Sequence, residues 1–308
     1  LDNLTHSLVG AVLGRAGLKR LTPYAMPALI ISANLPDIDS WIARPLGMEP
    51  IAFHRGFTHG VGGLATLPFL VAAMFLMLER LHPSKGGPVR FWPLLLVCFA
   101  GGLSHSILDL MNSYGIRLLE PFSPERFYED SWYIVDPTIW LILILGLEFS
   151  WRAERLGRDW TMPALVSLSA LVGYGAINFA ISKHSEALTR TELASRGIEP
   201  TLVVANPRLL TFWRRHMLWR NDEIHGDGWY GPRAGLVLEP RIARNNLDDP
   251  RLPAAARRDP HVRAFLFWSR MPIVLYQGSR AYLSDQRFPS LRTRTPFIIP
   301  LDNTRPSS

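Results

Sequence analysis

Charge is scarce in this chain and cysteine nearly absent. Asp, Glu, Lys and Arg make up 19% of its 308 residues, below the roughly 25% usual for soluble domains. The single cysteine, Cys98, lies in an apolar run, which excludes an intrachain disulfide and favours neither redox compartment. No His-Glu-x-x-His occurs, which excludes the helical zinc-protease motif. No nucleic-acid-binding motif accompanies the net charge of +7, so no nucleic-acid partner is expected. The excess, carried by arginine, reads as juxtamembrane charge near anionic lipid. The first residues lack the charged region, apolar core and small-residue cleavage site of a signal peptide. Leu1 reads as a UUG start codon translated literally, and a native N-terminus is expected.

What is present is long apolar sequence. Gly60–Leu78, Phe91–Leu108 and Trp160–Ser182 carry no charged residue, and Ser131–Leu147 is interrupted only by Asp136. About 20 mostly apolar residues cross a bilayer, so four transmembrane helices are expected. Leu21–Pro36 is uncharged but short and broken by Pro23 and Pro27, and it reads as a buried or re-entrant helix. Ser7–Leu18, with Gly10, Gly14 and Gly17, reads as a short helix packed closely on a neighbour. The fold class expected is an α-helical polytopic membrane domain over 1–182. It is followed over 183–308 by a small β-rich extramembrane domain. There, the apolar runs Thr201–Val204, Leu236–Leu238, Ala264–Trp268 and Ile273–Tyr276 alternate with Pro, Gly, Asn and Asp clusters. Residues 301–308 read as a frayed end.

Four crossings place both chain ends and the 113–130 loop on one side. The opposite loops, 79–90 and 148–159, hold Arg80, Lys85, Arg90, Arg152, Arg155 and Arg158. The Lys/Arg bias puts these in the cytoplasm and the C-terminal domain in the periplasm. Arg15, Lys19, Arg20, Arg44 and Arg55 near the N-terminus pull the other way.

Four short motifs concentrate metal-binding residue types. His105 and Asp109, four apart in an apolar helix, project from one face. His54 and His59 are five apart, about 140° around a continuous helix. They converge only if one precedes the helix and the other sits in its first turn, with Gly56 as the joint and Thr58 as an N-cap. Asp37 and Asp39 follow Pro36, which ends the preceding helix, and alternate carboxylates suit zinc, manganese or magnesium. Asp2 and His6 are again i, i+4, with Asp2, Asn3 or Thr5 as a helix cap and His6 as the ligand. Asp136 before Pro137 fits a helix cap and a site residue equally well. His82, His184, His216, His225 and His261 have no partner at ligand spacing.

The stretches Asp2-Asn-Leu-Thr-His-Ser-Leu-Val-Gly10, Asn34-Leu-Pro-Asp-Ile-Asp39, His54-Arg-Gly-Phe-Thr-His59 and His105-Ser-Ile-Leu-Asp109 resemble the YdjM/YbcI family. These are bacterial inner-membrane proteins described as metal-dependent hydrolases on the strength of such motifs. Asn206-Pro207, Phe267-Trp-Ser-Arg-Met-Pro272 and Asp285-Gln-Arg-Phe288 resemble the same family's C-terminal region. A remoter similarity is to zinc-dependent phospholipase C and related single-strand nucleases, whose ligand order His6, Asp37 or Asp39, His54 or His59, and His105/Asp109 could follow. Those enzymes add a later His and a His-x-x-x-Glu, and no His lies between His105 and His184 here. One or two ions are therefore expected instead of three.

The expected function is a membrane-embedded metal-dependent hydrolase acting on a phosphoester or ester of a lipid or lipid-linked substrate. One or two zinc-like ions, with manganese or magnesium also compatible, would be held by His6, Asp37, Asp39, His54, His59, His105 and Asp109. Asp39 or Asp136 is the expected general base, and Arg55 the expected holder of an anionic group. The alternatives are an ion-transport protein and a structural or regulatory membrane protein whose metal locks the fold.

Overall fold

The computed structural model describes residues 1–84, 86–288 and 297–302. Lys85 and all of the expected frayed end except Leu301 and Asp302 lie outside them. Chain contacts divide the protein into two compact units. The first holds Leu1–Trp41, Arg55–Ala180 and Leu209–Phe212; the second holds Ile42–His54, Ile181–Arg208 and Trp213–Ser308. The linear division expected at 182/183 thus leaves out two exchanged segments, of which 42–54 carries His54.

The first unit is helical. Helix α1 (Asn3–Arg15) starts where Asp2 accepts the Thr5 N–H at 3.0 Å and is followed, after the Ala16 cap, by Gly17, whose φ of +132° suits only glycine. Helix α2 (Ala25–Asn34) is buried along one face, with Ala28, Leu29 and Ala33 fully enclosed and Ile31 exposed. Its ten residues span about 15 Å, half the hydrocarbon core. Lipid offers no hydrophobic gain for bringing helices together, so close backbone approach must do it. A Cβ at Gly10 would lie 3.2 Å from the Leu29 carbonyl oxygen of α2, and one at Gly101 would lie 2.7 Å from the same atom. Glycines on two helices thus clamp α2 between them.

Pro36 ends this segment as expected: a 3₁₀ turn, Leu35–Ile38, follows α2 and hands over to the four-residue α3 (Asp39–Ile42). After α4 (Pro50–Phe53) come α5 (Val61–Leu81), α6 (Phe91–Leu110), α7 (Pro137–Arg155) and α8 (Thr161–Ser195). Three of these, α5, α6 and α8, are long and apolar enough to cross a membrane, with mean hydropathies of 2.2, 1.6 and 1.8. Helix α7 begins six residues later than the expected run and ends in Glu148, Arg152, Glu154 and Arg155, and it is not among the three. Its partner is α1, which runs alongside it. Trp140 Nε1 donates to Thr5 Oγ1 at one end (2.9 Å), and Arg15 Nε donates to Ser150 Oγ at the other (2.8 Å). At that second end Arg15 and Lys19 both pair with Glu154. Arg15, Lys19 and Arg20 all lie over the Trp160 ring, at 5.1, 3.9 and 4.5 Å.

The second unit is β-rich. Strands β1 (Leu202–Pro207), β2 (Arg215–Arg220), β3 (Ile224–Gly231) and β4 (Gly235–Leu238) pair antiparallel in chain order, with β5 (Ala243–Arg244) on β3. Helices α9 (Arg251–Arg258) and α10 (Pro260–Trp268) lead to a second antiparallel sheet of β6 (Pro272–Gln277), β7 (Arg280–Asp285) and β8 (Ile298–Pro300). Trp219 sits opposite Val203 and Gly226, and the bare Cα of Gly226 makes room for the indole. The run Ala264–Trp268, expected as a strand, is instead the end of α10. Asp259 caps that helix by accepting the His261 N–H at 2.8 Å, and Pro260 occupies its first position. Val262, Phe265 and Trp268, spaced by three, then bury one face.

Candidate metal centre

The site lies where the ends of several first-unit elements meet. The 3₁₀ turn after α2 brings Asp37, the stretch before α5 brings His59, the last turns of α6 bring His105 and Asp109, and the first turn of α1 brings His6. Ligand atoms of Asp37, His59, His105 and Asp109 all lie within 4.8 Å of one another. His59 Nε2 is 3.3 Å from Asp37 Oδ1 and 3.4 Å from Asp109 Oδ2; His105 Nε2 is 3.7 Å from each of the same two oxygens. His6 stacks on His105 with ring centroids 3.9 Å apart and points Nε2 at Asp109 Oδ1, 3.4 Å away. Burial, reinforced by the neighbouring His105, holds His6 well below the usual imidazole range, so it is neutral and free to donate a lone pair.

Hydrogen bonds behind the rings fix which nitrogen faces the cluster. His105 Nδ1 lies 2.7 Å from the Ala33 carbonyl oxygen, which can only accept. Nδ1 therefore carries the proton and Nε2 the lone pair. Thr58 Oγ1 donates its one proton to Asp39 Oδ2 at 2.8 Å, so at 3.0 Å it must accept from His59 Nδ1. His59 is set in the same tautomer. Two lone pairs consequently face two carboxylates at 3.3–3.7 Å. Acceptors packed against acceptors in a buried site are repulsive, and a cation among them turns the repulsion into binding. Both His6 ring nitrogens, His105 Nε2 and Asp109 Oδ2 are buried without a hydrogen bond among the described residues. The donor set thus fits a divalent ion, and Thr58 and Ala33 supply the outer hydrogen bonds that such imidazoles use. Replacing Thr58 with valine keeps the shape but frees the His59 tautomer. Metal affinity should fall about 10- to 100-fold, read as a shift in a chelator-competition titration with helix content unchanged; an unaltered titration would remove Thr58 from this role.

Asp39 does not enter the four-residue cluster but remains a candidate ligand on the other side of His59, its Oδ2 3.4 Å from His59 Nδ1. It is buried, and its Oδ2 takes the Arg55 N–H at 3.0 Å as well as the Thr58 hydroxyl, so it orients His59 from behind. Arg55 is also differently placed from the expectation. It is buried, and its φ of +61° is a left-handed conformation that costs a non-glycine residue about 1 kcal/mol. Its side chain donates to Asn112 Oδ1 at 2.7 Å and to Asp109 Oδ1 at 3.2 Å, with Nε 3.1 Å from Asp109 Oδ2. Burial lowers its pKa to about 10, which leaves it charged. A guanidinium engaged this way holds the Asp109 carboxylate of the cluster. The amino group of Leu1 lies against Asp109 Oδ1 as well.

The remaining expectations divide. Asp136 caps α7, accepting the Thr138 N–H at 2.9 Å, and takes the Tyr174 hydroxyl at 2.7 Å on its other oxygen. Both oxygens are engaged, and the residue is not one of the four clustered residues. His54 caps the end of α4, its N–H on the Pro50 carbonyl at 2.8 Å, and belongs to the second unit. Both His54 and His59 precede α5, whose N-cap is Gly60 without a side-chain bond. The expected capping role of Thr58 is replaced by its link to Asp39. His216, His225 and His261 pair with Asp227, Asn245 and Glu49 inside the second unit. Sequence reasoning missed the role of Thr58, although its place one residue before a candidate ligand was a usable signal. It had no way to find Ala33, which acts through its backbone.

A model of the YdjM inner membrane protein family matches residues 1–185, the span that carries the whole cluster. The chain belongs to that family. An uncharacterized protein, YfhP, of Bacillus subtilis (strain 168) is 24% identical over 291 residues, covering 87% of this chain and 80% of its own. No solved structure matches. Family membership and the three apolar helices together make this a membrane protein.

Proposed function

We propose that this protein is a membrane-embedded metal-dependent hydrolase that cleaves a phosphoester or ester bond of a lipid or lipid-linked substrate. The observation that carries the reading is the pair of tautomer-fixed imidazoles, His59 and His105, aimed at Asp37 and Asp109. A divalent ion held by these four residues would supply a Lewis acid that polarises the scissile group and acidifies water. His6 stands beside them as a further ligand and leaves scope for a second ion. Zinc suits the mixed nitrogen and oxygen set; manganese and magnesium suit its carboxylates.

Among the residues themselves, Asp37 is the one that reaches solvent, with 15% of its side chain exposed against 0% for His59, His105 and Asp109. Substrate and water therefore approach past Asp37. Asp39 steers His59, and Arg55 steers Asp109. In detergent, phosphodiester, phosphomonoester and ester lipids should be turned over only when zinc, manganese or magnesium is added. Activity that persists in chelated protein would reject the mechanism. The complete burial of His6, His59, His105 and Asp109 favours one rival, a closed structural site, and firmly bound metal with no turnover of any lipid would decide for it.

The proposed topology is multi-pass, with α7 as a fourth crossing, a membrane domain over 1–182 and a periplasmic domain over 183–308. At 19 residues, α7 spans about 28 Å, close to the hydrocarbon thickness. Arg15, Lys19 and Arg20, which by position weakened the charge argument, gather on Trp160 beside the 148–159 loop. They therefore add to the cytoplasmic charge instead of opposing it. Alkaline phosphatase fused after Ser308 should be active and green fluorescence absent; the reverse would put the C-terminal domain in the cytoplasm.

A further inference from the structure

The second unit contains a groove of about 710 Å³ that the metal chemistry does not use. Its walls carry three arginines from separate places in the chain: Arg208 at the end of β1, Arg214 before β2 and Arg233 in the β3–β4 turn. Trp213, Trp229 and Tyr230 line it too, and no carboxylate does. None of the three arginines has a carboxylate partner among the described residues, whereas Arg251 and Arg287 in the same unit are each paired to an aspartate. The aromatic wall is set in place. His216, opposite Trp229 in the β2–β3 register, stacks on its indole at 4.2 Å, and the Arg208 guanidinium lies over the same ring at 4.8 Å.

Three arginines lining one concavity with no carboxylate among them give it a positive potential that an anion neutralises. Guanidinium forks match the paired oxygens of a phosphate. Indole and phenol faces cover the carbon skeleton attached to it, and the volume falls within the roughly 300–1,000 Å³ of small-ligand sites. We propose that this groove binds a phosphate ester, with the phosphate held by Arg208, Arg214 and Arg233 and its organic part against Trp213, Trp229 and Tyr230. The proposal does not depend on the metal centre or on hydrolase activity.

The test uses the full chain and two sources of the same chemistry. Equilibrium dialysis in neutral detergent measures binding of ³²P-labelled glycerol phosphate, with inorganic phosphate as the bare anion. Native mass spectrometry counts phosphatidylglycerol and phosphatidylcholine retained after reconstitution in an equimolar mixture. Saturable glycerol phosphate binding, tighter than inorganic phosphate, identifies a soluble ester as ligand. Selective retention of phosphatidylglycerol without it identifies a lipid headgroup. In either case each Arg→Gln change at 208, 214 or 233 should weaken binding about tenfold. The charge-matched single change Arg258→Gln on α9, outside the groove, should leave it unaltered. Trp229→Phe, which keeps an aromatic face but narrows it, should weaken the ester more than inorganic phosphate. Absence of saturable binding in both arms overturns the proposal. So does an equal loss in the groove and α9 variants, which would reduce the effect to net charge.

Discussion

Purified His105→Ala and Asp109→Ala proteins should contain no bound divalent metal, while His216→Ala and His261→Ala should match the parent in elemental analysis. The contrast follows from what each residue faces. His105 Nε2 and Asp109 Oδ2 are buried, have no hydrogen-bond partner among the described residues and lie 3.7 Å apart. Removing either takes away one of four donors, and a methyl group cannot replace an imidazole or carboxylate as a ligand. The loss should exceed the roughly 10- to 100-fold expected of the outer hydrogen bonds. His216 and His261 already pair with Asp227 and Glu49 at 3.0 Å, and their removal deletes a local contact. Asp109→Ala also strands the Arg55 charge, which can unfold the protein outright; His105→Ala leaves that pair in place and keeps the test valid. Equal metal content in all four variants would dismiss the assignment.

The parts of this site that were legible in the sequence are those set by local spacing. His105 and Asp109 are four apart within one apolar helix, and helical geometry alone puts them on one face. Pro36 fixes the end of α2, and with it the place of Asp37. The glycines of α1 announced close packing, and Gly10 does meet the α2 backbone. What was not legible depends on contacts between distant segments. Asp39 looked equivalent to Asp37, but Thr58 and the Arg55 amide claim its Oδ2. Asp136 could cap or catalyse until Tyr174, 38 positions on, occupied its second oxygen. Arg15, Lys19 and Arg20 counted as charge near the N-terminus, and only the fold brings them to Trp160. The run Ala264–Trp268 misled because apolar residues without their Asp-Pro start read as a strand.

Arg55→Met should destabilise the protein by about 3–5 kcal/mol and strip most of its metal, and this outcome separates two roles for the arginine. A residue that anchors an anionic substrate would, when lost, raise KM and leave stability and metal content alone. The structure assigns the guanidinium to the protein itself. It spans Asp109 and Asn112, both fully enclosed, from a backbone held at positive φ by the Asp39 carboxylate on its amide and by its own carbonyl oxygen, which accepts the Arg117 N–H at 2.9 Å. Methionine preserves much of the length and bulk but leaves the Asp109 carboxylate buried with one fewer cation. Breaking such a pair from one side costs about 3–5 kcal/mol. Without Arg55 the carboxylate is also free to turn away from His59 and His105. Arg55→Lys keeps the charge, but one ammonium cannot serve the two acceptors with a planar fork; it should recover much of the stability and only part of the metal affinity. Thermal unfolding of chelated protein isolates the first effect and elemental analysis of reloaded protein the second. A stable Arg55→Met protein with full metal and a raised KM would return Arg55 to the substrate side of the site.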